Sequence, residues 1–377
     1  MKSPMNSDPT HPVRVDLAVV GGGLAGCAMV WEAIRRGFRV ALVDECRPWS
    51  SSRVAAGLVT PITGSRFALS WRFEEYYRAA DSLYRFAQET TQGAFWSVAQ
   101  ALRIFTSAQQ RAAFEERWTG PQSVGTDESI RLELLSPGDL RSYAAPWGGF
   151  SMFPAARLST EAYVDATRAF LGTQGLLFDT LVDLQQDLLD GEQGMRIDTL
   201  NLQARWVCLA QGLEARSNAW FGALALHPAR GDILQISASS KQIEHVVHRE
   251  GWIVPLGQAR YLLGATYARE EQGSQECRID SPAGFKARAE LRGRWQEFFD
   301  QPQVDVDLIE QRAAVRPASY DRHPLIGSHP EHSNLVCLNG LGSKGSLMAP
   351  RLAHLLLDEL EFCTPIEKVL RYDRRKA

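Results

Sequence analysis

The sequence has little of what marks several protein classes. Only six of its 377 residues are cysteine (Cys27, Cys46, Cys208, Cys277, Cys337 and Cys363), and none forms a CxxC pair. A disulfide-stapled scaffold and a thiol-redox motif are thereby excluded, and buried free thiols in a reducing compartment are expected. Neither sign of charge dominates: the net charge is −3 and the pI about 6.3, which argues against a general nucleic-acid binder. Long apolar runs are missing, since Leu17 to Trp31 is too short and too glycine-rich to span a bilayer. The opening MKSPMNSDPTHP has no apolar core, so residues 1–12 read as a short disordered tail rather than a signal peptide. A cytoplasmic protein without a transmembrane segment is expected. His245 and His248 have no third ligand at metal-site spacing, so no metal is expected. Internal repeats, low-complexity segments and a compelling acid–base dyad are also missing.

What is present begins at residue 16, with DLAVVGGGLAGCAMVWEAIRRGFRVALVDE. Val15 to Val20 is a short apolar run suited to a strand buried on both faces. Gly21, Gly23 and Gly26 supply GxGxxG at the following turn. The first glycine permits the tight turn, the second lets a pyrophosphate approach the backbone, and the third lets helix and strand pack closely. Leu24 to Arg36 has helical spacing with Gly37 as its stop, and Phe38 to Val43 is a second strand. Asp44 follows Gly21 by 23 residues, where a ribose-binding acid belongs, and Glu45 adjoins it. The helix N-terminus, with its partial positive charge, points at the diphosphate.

Further along, Ser50 to Thr63 is a small-residue loop. Phe73 to Thr90, Gln109 to Trp118, a stretch begun by Ser136 (SPGDL, with Ser at the N-cap and Pro at N1), Ser159 to about Leu171 and Ser281 to Phe299 read as helices. ARWVCLAQG ends a strand in a glycine. RGDILQISA, HVVHREGWIVPL and ARYLLGATYA, within residues 230–269, predict an antiparallel meander. Val304 to Val315 returns to strand, and residues 335–361 read strand, glycine loop, helix. The second glycine-rich strand-to-helix junction predicts an α/β fold with a discontinuous Rossmann-type domain and an α+β substrate domain carrying an antiparallel sheet. The expected boundaries are 13–65, 150–225 and 315–377 for the first, and 66–149 with 226–314 for the second.

Four stretches in this order carry a resemblance: GGGLAG with Asp44; SSRVAAGL; LAQG at 209–212 followed by ARGDIL; and AAVRPASYDRHPLIGSHPEHSNLVCLNGLGSKGSLMAP at 313–350. On them the chain resembles the FAD-dependent D-amino-acid oxidase superfamily, which includes glycine oxidase and sarcosine oxidase. The resemblance implies FAD, with the adenine end at the first turn and the flavin near the C-terminal loop. Cofactor contacts then fall on Gly21, Gly23, Leu24, Ala25, Gly26, Asp44, Glu45, Ser51, Ser52, Arg53, Ala56, Gly57, Leu58, Ala210, Gly212, Arg316, Gly340, Leu341, Gly342, Ser343, Lys344 and Gly345. The glycine loop and the helix after it suit negative charge developing on a reduced flavin.

Arg316 matches the arginine that clamps a substrate carboxylate in glycine-oxidase-like members, a task that fits a guanidinium. Its bland alternative is a salt-bridged surface arginine. Lys344 is the second catalytic candidate, with an exposed lysine as the alternative. Trp252, Tyr261 and Tyr267 are substrate candidates, although aromatics are core residues by default. The cysteine that attaches flavin covalently in sarcosine-oxidase-like enzymes is replaced by Arg316, which implies non-covalent FAD. The oxygen-presenting lysine of some oxidases is replaced near Leu262 or Leu263, so either oxygen or another electron acceptor fits. The implied reaction is C–N oxidation of a small amine or amino acid by hydride transfer to flavin N5, the imine then hydrolysing; such chemistry needs orientation rather than a side-chain base. GLGSKG followed by AP also resembles the FAD domain of the bifunctional enzyme that removes a carboxymethyl group from a tRNA wobble uridine, giving a stand-alone tRNA oxidase as the alternative. Oligomeric state is not legible.

Overall fold

A computed structural model describes residues 11–119, 129–191, 194–217, 219–222, 224–269, 279–300 and 306–374. The expected tail over residues 1–12 lies outside these except for its last two residues, and Cys277 lies outside them altogether.

Two sheets organise the chain. The first is eight-stranded and is built around a parallel core. Val13–Val20 pairs in parallel with Val40–Val43 on one side and with Leu202–Leu209 on the other. Leu202–Leu209 is joined in parallel by Leu335–Asn339, a strand from the far end of the sequence. Its strands are continuous apolar runs because helices cover the sheet: Leu17, Ala18, Val19 and all of Val40–Val43 are buried. Helices Leu24–Arg35 and Gly345–Phe362 pack on it and on each other.

The second sheet has ten strands. Ala229–Ser237 is flanked by Asp307–Arg316 and Arg260–Gly264, and the order continues through Trp252–Gly257 and Val246–His248 to Trp96–Ile104 and Gly149–Leu158. The expected meander is therefore reordered: after Ala229–Ser237 the chain crosses to Val246–His248 and walks back. Leu58–Val59 and Gly149–Leu158 also belong to this sheet, whereas the sequence groups Leu58–Val59 and residues 150–158 with the nucleotide-binding segments. One face packs on helix Pro282–Glu297 through Leu234, Ile236, Ile253, Leu263, Leu291 and Trp295. The opposite face looks onto a large cavity.

The helices expected at Phe73, Gln109, Ser159 and Ser281 are observed as Phe73–Thr91, Ala108–Trp118, Thr160–Thr173 and Pro282–Glu297. The one expected from Ser136 is not. Ser136 does bond Asp139, through its amide (2.8 Å) and its hydroxyl (2.6 Å). The amides of Asp139, Leu140 and Tyr143 then reach back only three residues, a run of turns. An N-terminal signature without apolar periodicity behind it closes a turn and propagates nothing.

Candidate active site

The glycine turn is built as its spacing demands. Gly21 takes φ +102°, and a Cβ there would meet the Ala210 carbonyl oxygen at 2.5 Å. A Cβ on Gly26 would lie 1.8 Å from the Gly21 carbonyl oxygen, so helix and strand touch backbone to backbone. The Leu24 amide at the helix start donates to Ser52 Oγ at 2.9 Å. Asp44 accepts from the Gly22 amide (2.8 Å), the Cys46 amide (3.0 Å) and Arg168 Nη1 (2.8 Å). Arg168 escapes a sequence reading because it lies on helix Thr160–Thr173, 124 residues from its partner.

A cavity of about 1030 Å³ opens from this turn and is lined by both sheets. That is at the top of the range of roughly 300–1,000 Å³ for small-molecule sites, room for an extended dinucleotide plus a substrate. Gly21, Gly23, Leu24, Ala25, Asp44, Glu45, Ser51, Ser52, Arg53, Ala56, Gly57 and Leu58 line one wall, with Ala210 and Gly212 beside them. Leu341, Gly342, Ser343 and Gly345 line the C-terminal end, at the start of helix Gly345–Phe362. The lining fits FAD: a side-chain-free glycine turn at a helix start, a carboxylate after the second strand, and a second helix start at the other end. Gly26 and Gly340 lie behind the lining and act through the backbone, Gly340 at φ +73°. Arg53 lines the wall but is held by Asp165 and, at 3.6 Å, by Glu161.

On the side of the second sheet, strand alternation decides which side chains face the cavity. Trp252 stands opposite Gly264, Gly264 opposite Ile233, and Gly231 opposite Ala314. A Cβ on Gly231 would sit 2.1 Å from Arg316 Nη2, and one on Gly264 2.4 Å from the Trp252 ring. Both glycines are therefore seats on which flat groups lie, a guanidinium on one and an indole on the other. Neither seat was singled out from the sequence, since a strand glycine announces itself only once its neighbours are known. Arg316 bonds only the Arg230 carbonyl oxygen (3.4 Å), and no carboxylate pairs with it among the described residues. Burial pulls its pKa below the ordinary arginine value.

Three candidates fall elsewhere. Tyr261 has the opposite parity to Leu262 and Gly264; it is 3% exposed, packs against Trp295 and donates to the Lys241 carbonyl oxygen at 2.6 Å. It is a core residue of the helix-covered face, not part of the cavity. Tyr267 is not in the cavity lining but stands 5.9 Å from the Arg316 guanidinium, at the rim and 61% exposed. Lys344 turns away from the cavity: its amine donates to Ser70 Oγ (2.8 Å) and Thr63 Oγ1 (3.3 Å), on and beside the hairpin strands Ile62–Thr63 and Ala68–Leu69. Burial pushes its pKa down to about 8. Leu262 faces the cavity side, among Val54, Ala56, Val254 and Ala314, whereas Leu263 faces the helix. Burial also pushes the Cys27 thiol up to about 12, so it is inert.

With this geometry in hand, comparison with known proteins places the chain. A family model described as FAD dependent oxidoreductase (DAO) matches residues 16–359. The tRNA 5-methylaminomethyl-2-thiouridine biosynthesis bifunctional protein of Aeromonas hydrophila is 25% identical over 92% of this chain but only 56% of its own length. The chain thus spans little more than half of that relative. Glycine oxidase of Geobacillus kaustophilus is 24% identical over 93% of this chain and 94% of its own. Its crystal structure superposes with a TM-score of 0.74, covering 94% and 96% of the two chains at 22% identity. Iminodiacetate oxidase from Chelativorans sp. BNC1 follows at 0.71 and 20% identity, with 93% and 96% covered. No helix of the described residues is long and apolar enough to cross a membrane. The chain belongs to the DAO family of FAD-dependent oxidoreductases, an enzyme family whose cofactor is FAD.

Proposed function

We propose that this oxidoreductase oxidises a C–N bond in a small amine or amino acid that carries a carboxylate. The observation that carries the reading is Arg316. Its guanidinium lines the cavity, lies flat over Gly231 and has no carboxylate partner among the described residues. A largely buried cation without a direct ion pair is costly, Asp232 acting on it only at longer range, and a bound carboxylate meeting the fork bidentately relieves that cost.

FAD, when bound, supplies the two-electron oxidation at the carbon beside nitrogen. The protein's own residues bind and orient. Arg316 fixes the carboxylate end, Trp252 on Gly264 offers an apolar floor, and Ile233, Ala314 and Leu58 keep water from that part of the cavity. A substrate amine that binds neutral needs no side-chain base. Orientation then supplies most of the rate. The glycine turn with Asp44, and the Leu341–Gly345 loop, are the proposed cofactor contacts; Lys344 acts on that loop from behind rather than on substrate. Relatives named for glycine and iminodiacetate oxidation support an amino-acid-like substrate.

The experiment is an anaerobic screen of amines and amino acids against the flavin-loaded protein, following loss of the visible flavin absorbance. Carboxylate-bearing amines should bleach it. Arg316→Ala should cost about 2–5 kcal/mol in kcat/KM for the best of them; an unchanged value removes Arg316 from the site. The second reading, oxidation of a modified tRNA uridine, is favoured by the bifunctional relatives. It requires bleaching by the modified nucleoside and none by free amino acids.

A further inference from the structure

Trp49 and Leu181 are 63% and 66% exposed, yet both line the large cavity. They sit in loops that leave neighbouring parallel strands, Val40–Val43 and Leu177–Phe178, at the same edge; Val43 stands opposite Phe178. Asp44 lies between the two loops, its amide bonded to the Phe178 carbonyl oxygen at 3.1 Å. This is the carboxyl edge of the sheet, where open α/β folds receive ligands. The Trp49 loop is pinned to the opposite bank, because Arg47 pairs with both Glu45 and Glu214 and all three line the cavity. Among the described residues the Trp49 indole has neither a ring contact nor a hydrogen-bond partner. A large aromatic held on an anchored loop at a cavity rim, with no protein group to cover it, suits a planar ligand.

We infer that Trp49 and Leu181 clamp the adenine ring of FAD, Trp49 giving the stacking face and Leu181 an apolar edge. The inference rests on the cavity being the FAD site. Nothing in the glycine-turn pattern requires it, because that pattern reads only diphosphate and ribose. Stacking of a base on an aromatic side chain is worth enough that its loss weakens binding about tenfold or more.

The test titrates apo-protein with FAD, ADP and FMN, for the wild type and Trp49→Ala, Trp49→Phe and Leu181→Ser. Trp49→Ala should weaken FAD and ADP by the same factor, about tenfold or more, and leave FMN, which lacks adenine, within twofold. Trp49→Phe should restore most of the loss, and Leu181→Ser should show a smaller one of the same pattern. Both side chains are exposed, so the variants should melt with the wild type in the absence of nucleotide. Unchanged FAD affinity in Trp49→Ala overturns the clamp, as does an equal loss for FMN. A wild type that binds no FAD fails differently: it removes the cofactor site itself.

Discussion

At the scale of single residues, the substrate side of the cavity depends on two positions with no side chain. Gly231 has an ordinary backbone conformation, so alanine is tolerated there by the chain itself. The obstacle is the Arg316 guanidinium, whose Nη2, Cζ and Nη1 atoms would lie 2.1–2.4 Å from the new methyl group. A flexible side-chain end moves aside cheaply. Gly231→Ala should therefore change stability by less than about 1 kcal/mol while raising KM for carboxylate substrates far more than it changes kcat. Steady-state kinetics together with thermal melts check this, and unaltered KM would falsify the seat. This logic was hidden in the sequence, where Arg316 was legible from its motif but its platform was an unremarked glycine in RGDIL. Tyr261 shows the converse. An aromatic on the same strand as Gly264 is eligible by position, yet the period-two rule puts it with Leu263 against Trp295, away from the cavity. One residue of register separates a substrate contact from a core contact.

Among elements, Lys344 ties the start of the last helix to the Ile62–Thr63 and Ala68–Leu69 hairpin through two hydroxyl groups and no acid. Its folded-state pKa of about 8 lies below the ordinary 10.5. Between those values the unfolded chain holds a proton that the folded chain has released, so stability rises as pH climbs from about 8 to about 10.5. Lys344→Met lacks the titration. Chemical denaturation across that interval should show the wild type gaining on the variant with increasing pH; parallel curves would place the amine in solvent. The glycine turn, its helix and the C-terminal strand–loop–helix were legible because each is encoded locally, by glycine spacing and apolar period. The sheet order was not. Crossing from Ala229–Ser237 to Val246–His248 and back is decided by pairing between distant strands, which no local pattern records.

For the molecule as a whole, both sheets contribute walls to one cavity, Gly21–Ala25 from the first and Gly231, Ile233 and Trp252 from the second. A ligand that fills it links the two sheets and stabilises them jointly. FAD at a thousandfold excess over its Kd should add about 4 kcal/mol, a rise of roughly 5 °C in Tm for a chain of this size. Differential scanning fluorimetry of stripped and reloaded protein checks the shift, and identical melts would mean that the folded chain does not hold the cofactor. The ionic ties at the C-terminus serve the same unity. Arg374 makes two hydrogen bonds, at 2.7 and 2.9 Å, to Asp321, whose pKa is held well below the ordinary carboxylate range by that guanidinium, so this tie persists at neutral pH.

The strand Leu335–Asn339 seals against Leu202–Leu209, in the same sheet as Val13–Val20, which lies some three hundred residues earlier in the sequence. A ribosome therefore releases Gly21–Ala25, one wall of the cavity, some three hundred residues before the Leu341–Gly345 wall. Until Leu335–Asn339 emerges, the stretch of Leu202–Leu209 that it pairs with remains an open sheet edge. Cofactor retention is therefore expected to need that strand, and a chain cut before Leu335 should purify colourless.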